Sequence, residues 1–142
     1  MDLLVIVRDA LASAVVGSLL AARDAHDAGR SVAVLLTGEA LAASAGGTFA
    51  WPRELAGQPM RLGLADRGSK DLGLPLVSKG EGRQLDPKAL LAATSAAGIP
   101  IYACPLWTAL LGIATPPAGC SPLDRAGLTR LLTETGKVVG AL

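Results

Sequence analysis

The sequence is poor in aromatic residues, cysteine and histidine, and each shortage narrows what the protein can be. The aromatic residues are two Trp, one Tyr and one Phe, so the apolar share of 51% is carried by Ala, Leu, Val and Ile. One histidine and two cysteines argue against a metal site built from several such ligands. No G-x-x-x-x-G-K-[ST] loop is present, and we therefore predict neither a metal nor a nucleotide cofactor.

Positive and negative charges are nearly balanced, with 13 Lys and Arg and 12 Asp and Glu. The chain therefore lacks the basic surface by which a protein binds nucleic acid. No uncharged apolar run reaches the roughly 18 residues of a membrane span, and Arg8-Asp9 interrupts the apolar amino-terminal region, unlike a secretory signal. We expect a cytoplasmic protein with no membrane span and no nucleic-acid partner.

Apolar runs typical of buried strands alternate with segments of helical period along most of the chain. The predicted strands are DLLVIVR (2–8), SVAVLLTG (31–38), IPIYAC (99–104) and KVVGAL (137–142). The predicted helices are 9–28 with Asp9 as N-cap, a short one after residue 38, 86–98 opened by Asp86-Pro87, 105–112, and 121–136 opened by Ser121-Pro122. Within 45–85, which is rich in glycine, we predict only a short helix at 51–57 and a strand at 60–65.

This alternation predicts one three-layer α/β/α domain over residues 1–142, with a mostly parallel, flavodoxin-like sheet of four or five strands. On the first helix, an alanine-rich stripe that includes Ala14, Gly17 and Ala21 is predicted to pack on the sheet, together with the residues beside it, Leu11, Val15, Leu19 and Ala22. Val16 and Leu20 lie on the opposite, polar side of that helix, where a monomer would place polar groups. They are therefore candidates for a subunit interface.

Cys104 ends one of the predicted strands, and a helix begins directly after it. Ligands of open parallel sheets gather beyond the carboxyl ends of the strands. A helix amino terminus also favours thiolate over thiol, and the thiolate is the reactive form. Pro105 suits the first helical position, where its missing N–H costs nothing. The alternative is that Cys104 is a small buried apolar residue.

The stretch GIPIYACPLWTALLGI (98–113) resembles the segment of DsrE/DsrF-like sulfur-relay proteins in which a strand ending in "iyaC" delivers the sulfur-carrying cysteine. Gly112-Ile113 match the "Gi" that closes the following helix, whereas Pro105 and Trp107 depart from the family's pattern. The first two predicted strands and the last one resemble the family more loosely. The resemblance implies a small cytoplasmic homo-oligomer, such as a trimer or hexamer, that accepts sulfane sulfur as a persulfide on Cys104. It also implies a sulfur donor and an acceptor partner.

Several residues are expected to support Cys104 from the same edge of the sheet. Arg8 ends the first strand, and Thr37, Gly38 and Glu39 end the second. A cation such as Arg8 would lower the pKa of a nearby thiol and hold an anionic donor such as thiosulfate. It could equally be a solvated strand-end charge, and Glu39 fits a helix amino-terminal carboxylate.

Two other functions fit the same residues. In the first, the protein is a non-catalytic oligomeric binding module in which Cys104 is packed and 45–85 forms a partner or ligand site. In the second, it is a thiol peroxidase or redox sensor in which Cys120, in the turn-like PPAGCSP, resolves an oxidised Cys104 as a disulfide. Cys120 could also be an incidental loop thiol.

Overall fold

The computed structural model describes residues 1–79 and 82–140, and the side chains of 77–79, 82 and 83 are not described. Its strands are β1 (Leu3–Val7), β2 (Val32–Leu36), β3 (Leu76–Lys79), β4 (Gly82–Leu85), β5 (Ile101–Ala103) and β6 (Lys137–Gly140). Its helices are α1 (Ala12–Asp27), α2 (Gly38–Ala45), α3 (Gln58–Leu72), α4 (Pro87–Ala96), α5 (Pro105–Leu110) and α6 (Arg125–Glu134).

Four of the described strands form one parallel sheet in the order β5-β2-β1-β6. Helices lie on both faces of this sheet, so the predicted three-layer α/β fold is confirmed. The four predicted strands are all present, and the first three are one or two residues shorter at each end. Residues 141 and 142 of the last predicted strand lie outside the described part of the chain. β2 is apolar throughout and all five of its residues are buried, as expected for a strand with neighbours on both faces.

The first face of the sheet carries the main cluster of buried side chains. It joins alternate residues of β1, β2 and β5 to side chains of α1, α2 and α4. Its members are Val5, Val7, Val15, Leu19, Ala22, Val32, Val34, Leu36, Ala40, Leu41, Leu74, Leu85, Leu90, Leu91, Ile99, Ile101 and Ala103. Burial of this much apolar surface is the principal stabilising contribution to the fold.

The second face carries a much smaller cluster, which consists of Leu4, Ala33, Leu35 and Cys104. Three leucines from α6 and the loop before it pack against this second cluster, yet no residue of α5 or α6 is fully buried. β6 forms an edge of the sheet, with Val138 44% exposed. The second face is therefore only partly covered within this single chain.

Two predicted helix starts are wrong. Helix α1 begins at Ala12 with Leu11 as N-cap and no side-chain capping bond, because Asp9 lies before an extended segment that pairs Leu11 with Ala50. Helix α6 begins at Arg125, where the Asp124 carboxylate accepts a hydrogen bond from the Gly127 N–H and so replaces the predicted cap at Ser121. The predicted cap of α4 is confirmed, with Asp86 accepting from the Lys88 N–H.

The face of α1 predicted to pack on the sheet is confirmed at Val15, Leu19 and Ala22, but the alanine-rich stripe at its centre is not fully buried. The buried residues of this helix are Ala12, Val15, Ser18, Leu19 and Ala22, which lie beside the alanine-rich stripe. The larger Val15 and Leu19 fill the core better than alanine does. Val16 and Leu20, the interface candidates, are half-buried and pack against the main cluster.

The glycine-rich segment forms more structure than its sequence predicts. Residues 60–65 belong to the long helix α3, so the strand predicted there is wrong, and the helix predicted at 51–57 is only a single 3-10 turn at Arg53–Leu55. β3 and β4 follow as an antiparallel pair. Gly68 allows α3 to approach this pair, because a Cβ there would lie 3.0 Å from Leu85 and 3.1 Å from Leu74.

Candidate functional site

Three of the predicted site residues form one row at the carboxyl edge of the sheet. Val7, Leu36 and Ala103 are register partners at the ends of β1, β2 and β5, and Arg8, Thr37 and Cys104 are the residues that directly follow them. The Thr37 N–H donates to the Val7 carbonyl at 3.0 Å, and the Cys104 N–H donates to the Leu36 carbonyl at 2.9 Å. The backbone therefore holds this row together, at the edge where parallel sheets bind ligands.

Cys104 is buried on the second face. The residue is 4% exposed and belongs to the second cluster with Leu4, Ala33 and Leu35. It is the N-cap residue of α5, where its side chain makes no capping hydrogen bond and its carbonyl accepts from the Thr108 N–H at 2.8 Å. The thiol thus lies in apolar surroundings, and a reagent in solution reaches it only when the residues above it move.

Helix α5, which starts from Cys104, is weakly anchored. None of its residues is fully buried, and it contacts its neighbours α2 and α6 only sparsely. Its half-buried Pro105 occupies the first helical position as predicted. Four apolar side chains of α5 and the residue after it are between 39% and 73% exposed: Leu106, Trp107, Leu110 and Leu111. This apolar surface, which we call the α5 surface, adjoins the cysteine.

The α5 surface is a feature that the sequence analysis missed. A signal for it exists in the sequence, since no charged residue occurs between Lys88 and Asp124. Such a stretch contains both a buried strand and an exposed helix, and apolar content alone does not distinguish them. Contiguous exposed apolar surface on a small protein commonly marks an interaction site.

The Arg8 side chain is solvated rather than directed at the thiol. It is 68% exposed, and its Nε lies 3.9 Å from the Asp9 carboxylate. Two strand spacings separate Arg8 from Cys104 in the row, which places their Cα atoms about 10 Å apart. Strand alternation puts both side chains on the second face, so the long arginine side chain can approach an anion near the cysteine without contacting the thiol now.

The residues after β2 serve the backbone. Gly38 has a φ of +53°, in the left-handed region that favours glycine, and a Cβ there would lie 3.5 Å from the Arg8 carbonyl oxygen. Thr37 is the half-buried N-cap residue of α2 and makes no side-chain capping bond. Glu39 is exposed in the first turn of α2, where its charge stabilises the helix dipole.

Cys120 is not brought together with Cys104. It is half-buried against the main cluster, on the opposite face of the sheet from Cys104, and burial raises the pKa of its thiol to about 11. Ser121 pairs with Tyr102, so Cys120 lies level with Ile101, three residues before Cys104. That offset corresponds to about 10 Å along the strand, whereas a disulfide requires Cα atoms within about 7 Å.

Two further kinds of feature, a metal site and a membrane-spanning helix, were considered for the described residues. Across 1–79 and 82–140, His, Cys, Asp and Glu side chains nowhere gather in a group of three that could hold a metal ion. In the same ranges, no helix combines the length and apolarity that crossing a membrane requires.

Comparison with protein-family models and with curated proteins identifies no relative, since no family model matches the chain and no curated protein matches it significantly.

Proposed function

We propose that this protein carries sulfane sulfur as a persulfide on Cys104 and passes it to a thiol of a partner protein. The observation that carries the proposal is the position of Cys104, in a row with Arg8 and Thr37 at the carboxyl edge of a parallel sheet. The resemblance of residues 98–113 to DsrE/DsrF-like sulfur-relay proteins supports it. By the same resemblance, the protein acts in the cytoplasm as a homo-oligomer, such as a trimer or hexamer.

The loading step requires only a donor that contains a sulfur–sulfur bond. With thiosulfate, the Cys104 thiolate attacks the outer sulfur, a new sulfur–sulfur bond forms to Cys104, and the bond to the sulfonate sulfur breaks. Sulfite leaves with the bonding electron pair, and Cys104 remains as the persulfide anion. In the second step a partner's thiolate attacks the outer sulfur of that persulfide, which returns Cys104 to its thiolate.

We infer that Cys104 becomes accessible when α5 moves together with the half-buried leucines that pack on the second cluster, Leu123, Leu128 and Leu131. The thiol belongs to the residue from which α5 starts, and no side chain of this helix is fully buried. Displacing α5 therefore loses little buried apolar surface, and the free energy of such a local opening lies well below that of global unfolding. The exposed side chains of the α5 surface also give an acceptor protein an apolar area to bind beside the thiol.

A second function, the non-catalytic binding module, is favoured by one observation. Cys104 is 4% exposed among Leu4, Ala33 and Leu35, which is the environment of a cysteine that only fills space. The redox pair of Cys104 and Cys120 has no such support, since the two thiols lie on opposite faces of the sheet.

Intact-protein mass spectrometry after brief exposure to thiosulfate distinguishes these functions. We expect the native chain to gain the mass of one sulfur atom, and a thiol reductant to remove it. The Cys104→Ser variant should gain nothing, while the Cys120→Ser variant, a matched control on the other face, should gain as much as the native chain. No gain in the folded native chain, or an equal gain in Cys104→Ser, would refute the carrier function.

A further inference from the structure

A cavity of about 190 Å³ lies on the first face of the sheet, where residues 48–51, α3, the end of β4 and the start of α4 meet. Helix α4 leads into the amino end of β5, so its own amino end lies at the carboxyl edge of the sheet. The cavity therefore shares that edge with Cys104 but opens on the opposite face. Cavities at this edge are the usual ligand sites of open parallel sheets.

Arg61 of α3 lines the cavity and is held in place by neutral groups. Its guanidinium carbon lies 5.4 Å from the centre of the Trp51 ring, and its Nη2 donates to the Gln84 side-chain oxygen at 2.6 Å. Its Nε is buried and has no hydrogen-bond partner among the described residues. No described carboxylate lies within ion-pair distance of it. Among the described residues, the cation is thus oriented but not neutralised, which is the condition in which a guanidinium binds an oxyanion well.

Lys88 of α4 supplies a second cation to the same cavity. Its Nζ donates to the Gly47 carbonyl oxygen at 2.7 Å, which fixes the ammonium group and leaves two of its three N–H donors for other acceptors. The lining also contains Asp86, whose carboxylate accepts from the Lys88 N–H and caps α4. Two cations and one carboxylate leave a single positive charge, which matches a monoanion better than a dianion.

The apolar lining and the volume of the cavity indicate what the uncharged part of the ligand is. Phe49 and Trp51, two of the few aromatic residues in the chain, lie beside Leu85 and Pro87. The volume exceeds the roughly 150 Å³ of a cavity that holds benzene and falls short of the roughly 300 Å³ at which sites for drug-sized molecules begin. One ring with one small substituent fills it.

We propose that this cavity binds a small monocyclic carboxylic acid, with the carboxylate between Arg61 and Lys88 and the ring against Phe49. The ring is held by apolar contact and the carboxylate by charge-assisted hydrogen bonds. The proposal is independent of sulfur transfer, since it uses no residue of the Cys104 site.

Titration calorimetry of the full chain with benzoate tests the proposal. We expect saturable binding of benzoate, binding of acetate at least about tenfold weaker because the ring is missing, and none of the uncharged benzyl alcohol at the same concentrations. The Arg61→Gln and Lys88→Gln variants should each bind benzoate at least about tenfold more weakly, the loss expected for one charge-assisted hydrogen bond. Lys70→Gln, an exposed change on the same helix as Arg61, should bind as the native chain does.

Three results would overturn the proposal. They are equal binding of benzoate by the native chain and both charge variants, binding of benzyl alcohol as tight as that of benzoate, and tighter binding of inorganic phosphate than of benzoate. Absence of benzoate binding by the folded native chain would overturn it too. Circular dichroism checks that the variants fold. If Arg61→Gln does not fold, the comparison of Lys88→Gln with the native chain still tests the proposal.

Discussion

The two faces of the central sheet are covered to very different degrees. On the first face, α1 and α4 bury side chains such as Leu19 and Leu90 almost completely in the main cluster. On the second face, α6 contributes no fully buried residue, and the second cluster consists of four residues. The first face therefore contributes most of the stability, and the second face opens more easily, because local opening is least costly where little apolar surface is buried.

Each face also carries one of the two cysteines. Cys120 packs against the main cluster, where burial raises the pKa of its thiol and so suppresses the reactive thiolate. Cys104 belongs to the second cluster, at the start of the weakly anchored α5. A thiol is more readily exposed by local opening on the face where less apolar surface is buried.

The largest expected effect comes from truncating one leucine on each face. Leu19→Ala removes a fully buried side chain from the main cluster and should lower the free energy of unfolding by about 2–5 kcal/mol. Leu128→Ala removes a half-buried side chain from α6 and should cost about 1 kcal/mol, because less surface returns to water. Urea denaturation of the two variants measures both losses.

Equal losses in these two variants would contradict the comparison, since the second face would then contribute as much to stability as the first. A Leu128→Ala loss that exceeds the Leu19→Ala loss would reverse it.

The regular part of the fold is predictable from the sequence because its signals are local. β1 and β2 are uninterrupted apolar runs, and α4 begins with an Asp-Pro pair whose capping bond is confirmed. Helix α3 escaped prediction because two of its positions, Gly63 and Gly68, disfavour helix locally. Gly68 is explained only by Leu74 and Leu85, which pack against it from outside the helix.

The candidate site is predictable only in part. Arg8, Thr37 and Cys104 follow three strands whose ends are visible in the sequence, so their alignment at one edge follows from a parallel sheet. The opposite placement of Cys104 and Cys120 does not follow, because it depends on the pairing of Ser121 with Tyr102. The burial of Cys104 and the exposure of α5 likewise depend on how far the second face is covered.

A smaller expected effect is a pH dependence of the free energy of unfolding that comes from the Cys120 thiol. In the folded protein the pKa of this thiol is about 11, whereas its ordinary pKa in the unfolded chain is 9.0. The stability from this thiol is therefore complete below about pH 9 and is lost as the pH rises towards 11. Subtracting the pH dependence of unfolding of Cys120→Ala from that of the native chain should reveal this loss.

A difference that stays constant between pH 8 and 11 would contradict the burial of the Cys120 thiol. The Cys104→Ser variant is the matched control in this experiment and should retain the loss.

The measurement that tests the account most directly is the alkylation rate of Cys104 at increasing urea concentrations below the unfolding transition. We would record it in the Cys120→Ala variant, so that a single thiol reports. If Cys104 becomes accessible by local opening of α5 and α6, its alkylation rate should depend only weakly on urea, because such an opening exposes little surface. An alkylation rate that rises with urea as steeply as the equilibrium constant for global unfolding would contradict the account, since Cys104 would then be a packing residue.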